Sequence, residues 1–173
     1  MSLPEKLRLV VASFDESGEP DFIEAGPPAT RHTPGISTGT YFWRVDGPEE
    51  SGLLVGGSGS PGAATPGGSV ALMVVIPAKS GESTNFDVAA LLGDSASAES
   101  ESNPAMHATR SIDYELILSG RIDFVLPGRR RRTLTAGDLL VVTGVPHAWE
   151  NLYDEDCTYL AISVGAQPSG AGG

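Results

Sequence analysis

The feature that most constrains the fold of this chain is a series of short strand-like segments in its C-terminal part. The segments are rich in β-branched and other apolar residues, and turns built on glycine and aspartate separate them. They cover residues 112–118, 122–126, 133–134, 139–142, 147–149 and 158–164. Short strands at this spacing are typical of a β-sandwich or a β-barrel. The sequence therefore predicts an all-β domain.

The N-terminal part contains further strand-like segments. Residues 7–13 and 21–24, on either side of a turn, predict an N-terminal strand extension. Residues 40–45 alternate polar and bulky side chains with the period of a strand. Residues 69–76 are a short apolar run, which predicts a strand with both faces covered.

Two long stretches predict loops. Residues 46–68 are rich in glycine, serine and proline, and residues 94–103 are rich in serine, alanine and glutamate. Loops of this length inside a compact domain are usually functional or disordered. The stretch 83–105 leads directly into His107, so two alternatives stay open for it: a lid over a binding site, or a flexible insertion.

Composition and charge narrow the range of functions. The chain has 22 glycines and 13 prolines in 173 residues, which favours turns over long helices. Its formal net charge of −11 opposes binding to nucleic acid or to an anionic membrane, because phosphate contacts need clustered lysine and arginine. Cys157 is the only cysteine, which excludes an internal disulfide and a thiolate-rich metal site.

The length of the chain predicts one domain over residues 1–164. Residues 165–173 are small residues and proline with a single glutamine, which predicts a flexible C-terminal tail. No apolar run approaches the length of a membrane span, and the N-terminus lacks the apolar core of a signal peptide. We therefore expect a cytoplasmic protein.

Two motifs in the region 106–151 carry most of the functional information. The first consists of His107, Thr109, Asp113 and Gly120, and the second of Gly137, Gly144, His147 and Asn151. Their order and spacing resemble the paired motifs of small single-domain cupins, the conserved-barrel (cupin-2) type. That resemblance implies a double-stranded β-helix, or jelly-roll barrel, here with long loops and the N-terminal strand extension. It also implies a homodimer, because cupins commonly pair through outer strands.

The resemblance implies a metal site that is degenerate in this chain. A complete cupin motif places three histidines and one glutamate around a divalent metal ion. Here Thr109 takes the second histidine position and Asp113 takes the glutamate position. Two alternatives stay open: a site without a cofactor, which we favour, or a site in which His107, Asp113 and His147 hold iron, zinc or manganese.

Strand alternation adds Glu115 to the candidate site. Successive side chains of a strand face opposite sides, so an inward Asp113 predicts an inward Glu115. The other register would place Tyr114 and Leu116 inside, but the spacing from Asp113 to Gly120 favours the first. Burial and a neighbouring carboxylate both raise the pKa of a carboxyl group. The pair therefore predicts one proton donor and one ionised base.

Aromatic side chains and an arginine are the main predicted contacts to a substrate. Trp149 shares a strand face with His147 and offers a flat apolar wall, or fills the core. Tyr41 and Trp43 share a face of their own strand, and they either close the cavity or fill the core. Arg110 either binds a substrate carboxylate or pairs with an acidic neighbour. The predicted substrate-binding residues are Trp149, Tyr41, Trp43, Thr109 and Arg110.

The predicted function is acid–base chemistry on a small organic substrate, by a dehydratase, an isomerase or a cyclase. The predicted catalytic residues are Glu115, Asp113, His147 and His107. The resemblance to small cupins implies a tailoring step in natural-product biosynthesis. Two alternatives stay open: a metal-dependent iron oxygenase, and a non-catalytic cupin that binds a ligand.

Overall fold

Strands account for most of the described chain. The computed structural model describes residues 9–14, 17–23, 27–47, 61–80, 88, 92–93, 96–98, 103 and 105–166. Within these residues the strands are β1 (Val11–Phe14), β2 (Pro20–Ile23), β3 (Ala29–Thr33), β4 (Ser37–Val45), β5 (Ser69–Ile76), β6 (Ala96–Ala98), β7 (His107–Thr109), β8 (Ser111–Ser119), β9 (Arg121–Leu126), β10 (Arg130–Thr135), β11 (Leu139–Thr143), β12 (Ala148–Glu150) and β13 (Cys157–Gly165). A short 3-10 turn, Pro127–Arg129, joins β9 to β10.

Two antiparallel sheets form the body of the domain. The larger has the strand order β11-β8-β13-β5-β4-β3, and the smaller has the order β10-β9-β12. Both sheets contribute buried side chains to one apolar core, among them Ile117, Ile122, Phe124, Leu134 and Tyr159. Burial of these side chains between the sheets holds the two layers together. The predicted all-β class is confirmed, and each strand predicted beyond residue 111 overlaps an observed one.

The turn between β8 and β9 fixes the register of the strand that carries both candidate acids. Gly120 in this turn has a φ of +73°, a left-handed conformation that favours glycine. A Cβ at this position would lie 2.2 Å from the backbone oxygen of Asp156. Glycine is therefore required here, and it anchors Asp113 and Glu115 seven and five residues upstream.

The C-terminal strand extends further than the sequence predicted. Gly165 belongs to β13, and its amide donates to the carbonyl oxygen of Gly68 at 2.9 Å. Its own carbonyl accepts from the amide of Gly67 at 3.1 Å. A Cβ on Gly165 would lie 1.9 Å from the backbone oxygen of Thr65, so the small residue permits this close backbone pairing. Assigning residue 165 to the flexible tail was wrong, and residues 167–173 lie outside the described residues.

Other predicted segments are described in part. The N-terminal strand extension is confirmed, because β1 and β2 pair as an antiparallel hairpin. Most of the predicted loop 46–68 and of the stretch 83–105 lies outside the described residues, so the choice between a lid and an insertion stays open. Within that second stretch, β6 pairs with β7. No helix among the described residues is long and apolar enough to cross a membrane.

Candidate functional site

A cavity of about 310 Å³ lies beside the apolar core, and both motifs contribute to its wall. Strands β7 and β8 and the segment before β12 supply the predicted polar residues of the lining, and β3, β4 and β12 add further polar residues. Strands β5 and β13 supply mainly apolar side chains. The residues that the sequence predicted and that border the cavity are Tyr41, His107, Thr109, Asp113, Glu115, His147 and Trp149. A cavity with a mixed wall and a few convergent polar groups is typical of a small-molecule site.

The two histidines lie side by side because their backbones pair. The amide of each donates to the carbonyl of the other at 2.9 Å, which joins His107 to His147 in an antiparallel bridge. Residues that face each other in such a pair project their side chains to the same side of the sheet. The imidazole centroids are 4.4 Å apart as a result.

Both imidazoles present the same nitrogen to the cavity. Nδ1 of His107 donates to the carbonyl oxygen of Ala105, and Nδ1 of His147 donates to that of Val145, each at 2.9 Å. Because a carbonyl only accepts, these contacts place the ring proton on Nδ1 and leave the lone pair on Nε2. Burial lowers the pKa of both side chains, and with the charge repulsion from His107 it lowers the pKa of His147 to about 4. Both rings are therefore neutral at neutral pH.

Asp113 is held by hydroxyl groups rather than by a cation. The hydroxyl of Ser111 donates to Asp113 Oδ1 at 2.9 Å, and the hydroxyl of Thr109 donates to Oδ2 at 3.1 Å. These hydrogen bonds compensate the buried carboxylate for lost water. Thr109, which replaces the second cupin histidine, therefore serves as a hydrogen-bond donor to the carboxylate.

Glu115 faces the cavity, which confirms the predicted register of β8. Its side chain is 7% exposed, and its Oε2 atom is buried without a hydrogen-bond partner among the described residues. Burial and then the charge of Asp113 raise the pKa of Glu115 to about 8. A carboxyl group with this pKa is mostly protonated at neutral pH, whereas Asp113 has the hydroxyl donors that stabilise a negative charge.

Trp149 and Tyr159 form an aromatic wall. The two rings stack with centroids 4.9 Å apart and an interplanar angle of 19°. Trp149 shares the cavity with His147, as predicted from alternation along their segment. Tyr159 was not among the predicted site residues, although alternation along 158–164 places it on one face with Ala161. It reaches the cavity through the pairing of β13 with β8, which brings Tyr159 opposite Ile117 and which local sequence does not indicate.

Two predicted substrate contacts do not border the cavity in the described structure. A β-bulge between Tyr41 and Trp43 shifts the register of β4 against β5, so Tyr41 lies opposite Leu72 and Trp43 lies opposite Ala71. The two aromatic residues therefore face opposite sides, and the prediction that they share a face was wrong. Arg110 is also outside the cavity lining, because it occupies the exposed corner between β7 and β8.

The donor arrangement does not match a complete metal site. Among the described residues, no three histidine, cysteine, aspartate or glutamate side chains converge closely enough to hold a metal ion. Both oxygens of Asp113 already accept hydrogen bonds from hydroxyl groups. His107 and His147 alone supply two donors, one fewer than a catalytic zinc site uses. The described residues therefore do not fit a catalytic metal ion at this cavity.

Comparison with known sequences gives two partial similarities to proteins of a biosynthetic cluster, and no family model matches the chain. The chain is 37% identical over 91 residues to phomopsin biosynthesis cluster protein C' of Diaporthe leptostromiformis, covering 53% of this chain and 36% of that protein. It is 48% identical over 46 residues to protein D of the same cluster, covering 27% of this chain and 24% of that protein. The chain thus spans about a third or less of these curated relatives.

Among solved structures, one similar protein is an uncharacterised double-stranded β-helix protein from Klebsiella pneumoniae. The two share 14% identity with a TM-score of 0.47, over 82% of this chain and 85% of the other. The fold assignment itself comes from this chain: an all-antiparallel pair of sheets, with the histidines of two separate motifs paired at one cavity. These features identify the fold as a cupin-type double-stranded β-helix.

Proposed function

We propose that this chain is an enzyme that moves protons within a small organic substrate, as a dehydratase, an isomerase or a cyclase. We place it in the biosynthesis of a natural product, which its partial similarity to two phomopsin-cluster proteins supports. The substrate occupies the cavity between the histidine pair and the aromatic wall. The proposal includes a cytoplasmic location.

The observation that carries this proposal is the buried carboxyl group of Glu115 in the cavity wall. A pKa of about 8 lets a carboxyl group hold its proton at neutral pH and still release it readily. Its buried Oε2 has no partner among the described residues, so no protein acceptor there competes for the proton. Glu115 is therefore the general acid of the proposed reaction.

The proton acceptor in this proposal is an imidazole. His107 and His147 are both neutral, and both hold their Nε2 lone pair ready because Nδ1 is tied to a carbonyl oxygen. The nearby Asp113 carboxylate stabilises the imidazolium that forms when a proton is taken up, as its effect on the pKa of both rings indicates. An acid and a base in one cavity suffice for dehydration, isomerisation or cyclisation.

The iron oxygenase is the second candidate, and one observation favours it. Histidines that bind metals usually donate their second ring nitrogen to a carbonyl or carboxylate, as His107 and His147 do here. The third donor is what the described site lacks. Metal analysis of protein purified without a chelator separates the two candidates: we expect well under one metal ion per chain, and one iron per chain would contradict the proposal. Thr109→His, which restores the family's histidine, is the matched variant with expected higher metal content.

The direct test uses a metabolite extract from the source organism after deletion of the gene, in which the substrate accumulates. We expect the wild-type protein in D2O to convert one component, with loss of water or with unchanged composition, and to introduce deuterium. Glu115→Gln should slow this conversion at least about 100-fold, because general acid catalysis contributes that much. Tyr153→Phe, whose hydroxyl donates to Asp123 outside the cavity lining, is the matched control and should keep wild-type turnover.

Three results would contradict the proposed function. A product that gains an oxygen atom would indicate the oxygenase. Full turnover by Glu115→Gln would contradict the assignment of Glu115 as the general acid. A component that binds tightly and returns unchanged would indicate the non-catalytic ligand-binding cupin.

We further propose that the protein is a homodimer that pairs through the outer face of β11, β8 and β13. Val141, Tyr114 and Ile162 form one exposed cross-strand row on this face, and Ile112 and Val164 lie in the next. A contiguous exposed apolar patch of this kind is typical of a protein interface. The partner on this face is a second copy of the chain. The chain carries a net charge of −11, so two copies repel each other least where they meet through an uncharged patch, and the outward positions of this patch carry no charge.

A further inference from the structure

We propose that Glu115 and Tyr159 together form a two-donor binding site for the carbonyl oxygen of the substrate. The substrate is then a carbonyl compound with an acidic C–H group beside the carbonyl. The assignment of this pair as a binding site stands on its own geometry, and only its use in turnover rests on the proposed function.

The strand register brings the two side chains together. Glu115 lies opposite Ala161, and Ile117 lies opposite Tyr159, across the paired strands β8 and β13. Glu115 and Tyr159 are therefore diagonal neighbours on one face, a separation that long and aromatic side chains span. Both border the cavity, and each is buried.

Both groups are neutral hydroxyl donors in this environment. Burial, together with the charge of nearby acidic groups, keeps the pKa of Tyr159 well above its usual range. Glu115 is buried without an ion-pair partner among the described residues, which favours the neutral form of its carboxyl group. Among the described residues, the buried Oε2 atom of Glu115 has no hydrogen-bond partner. The terminal torsion of a glutamate side chain is soft, so its O–H group can turn into the cavity. A buried donor without a partner in the protein favours a ligand that supplies an acceptor.

The charge distribution favours a neutral carbonyl over a bound anion. Asp113 lies in the same wall and opposes a full negative charge, although hydroxyls of Ser111 and Thr109 partly offset it. Among the described lining residues, Arg31 is the only arginine or lysine. Negative charge should therefore develop on the oxygen only during the reaction, when two aligned donors help most.

The proposed step balances without a redox partner. Nε2 of His147 takes the proton from the carbon beside the carbonyl, and the C–H bonding pair forms a carbon–carbon double bond. The carbonyl π pair moves to the oxygen, where Glu115 and Tyr159 donate to it. The resulting enolate expels a β-hydroxyl group, which leaves as water with a proton from Glu115. Where the substrate has a carbon–carbon double bond between its β and γ carbons instead, the extended enolate takes the proton back from His147 at the γ carbon, which completes an isomerisation.

The test measures binding of acetophenone, whose ring fits the aromatic wall, against α-methylstyrene, which replaces the carbonyl oxygen with a CH2 group. Titrations followed by tryptophan fluorescence give both affinities, and the infrared carbonyl stretch of 13C-labelled acetophenone reports its hydrogen bonding. We expect the wild-type protein to prefer the ketone by at least about tenfold and to shift its carbonyl stretch to lower frequency. Tyr159→Phe and Glu115→Leu should each remove most of that preference and part of the shift.

Two variants separate this inference from the proposed function. Glu115→Gln keeps a neutral N–H donor, so it should retain most of the ketone preference while losing turnover. Tyr153→Phe should change neither. Equal wild-type affinity for the two probes, absence of acetophenone binding, or an unchanged carbonyl stretch in Tyr159→Phe would overturn the two-donor site. Loss of turnover in Glu115→Gln with an intact ketone preference would support both proposals, whereas retained turnover would overturn the general acid alone.

Discussion

Strand β8 has opposite chemistry on its two faces. The inward side chains Asp113 and Glu115 are acidic and are 5% and 7% exposed, whereas the outward Ile112 and Tyr114 are apolar and are 42% and 44% exposed. A strand in a monomeric antiparallel sheet usually has the reverse pattern, with apolar residues inside. Each face of the strand therefore needs a binding partner. Buried acids lower stability and exposed apolar groups lower solubility unless a partner contacts them. We infer that the partner inside is the substrate and the partner outside is a second copy of the chain.

The largest expected effect is on the pH dependence of the free energy of unfolding, which reports the cost of burying Glu115 on the inner face. The pKa of Glu115 is about 8 in the folded state against an ordinary value of 4.5 for a solvated glutamate. The folded chain therefore holds a proton that the unfolded chain releases between these values, and stability falls as pH rises from about 4.5 to about 8. The full loss is about 5 kcal/mol as an upper limit, at about 1.4 kcal/mol per pH unit.

Glu115→Gln removes this dependence. Chemical denaturation at pH 5 and at pH 8.5 should show the variant gaining several kcal/mol relative to the wild type across that interval. A difference between the two proteins that stays constant with pH would show that Glu115 ionises freely in the folded state. Burial of Glu115 on the inner face would then not lower the stability of the protein at high pH.

The next effect has the opposite sign and comes from the histidines. The pKa of His147 is about 4 in the folded state against an ordinary value of 6.5 for a solvated histidine. The unfolded chain therefore binds a proton that the folded chain excludes, and stability falls as pH drops from about 6.5 to about 4, by about 3 kcal/mol. His147→Gln should lose less stability than the wild type over this range in the same denaturation series. An equal acid loss in both proteins would refute the neutral, buried imidazole.

Much of the inner face was predictable from local sequence. The inward pair Asp113 and Glu115 follows from the two-residue period of a strand together with a glycine at a fixed distance, which a left-handed turn requires. Asn151 is marked by its place in the second motif. Its side chain is buried and donates to the carbonyl oxygens of Ile76 and Glu155.

The features that were missed depend on contacts between distant segments. The bulge that turns Trp43 away from the cavity is an irregularity of the β4–β5 pairing, and the sequence of residues 40–45 does not predict it. Tyr159 joins the site only because β13 pairs with β8, which is a distant segment of the chain. The close pairing of Gly165 with Gly68 is also long-range, and local composition alone predicted a frayed end. Local periodicity assigns faces to a strand, whereas the identity of the facing neighbour needs the tertiary structure.

The outer face is tested by adding a charge at its centre. Tyr114→Lys places a cation between Val141 and Ile162, where dimerisation would bury it, so the dimer should weaken by at least about 2 kcal/mol, or about 30-fold in Kd. Light scattering after size exclusion measures the mass over a dilution series. Leu152→Lys, at a similarly exposed apolar residue outside this face, is the matched control and should remain dimeric. A monomeric wild-type protein, or a Tyr114→Lys variant that dimerises with unchanged affinity, would contradict dimerisation through the outer face.

The smallest expected effect separates the two inner acids from each other. Ser111 donates to Asp113 at 2.9 Å and is itself buried, whereas no described residue pairs with Glu115 Oε2. Ser111→Ala should therefore cost about 1–2 kcal/mol, since Thr109 still donates to the carboxylate. Ser163 lies opposite Asp113 on β13 but does not donate to its carboxylate, so Ser163→Ala should lower the free energy of unfolding by less. Equal costs in denaturation would mean that the hydrogen bond from Ser111 adds nothing to the stability of the buried Asp113 side chain, and the two inner acids would then differ only in position.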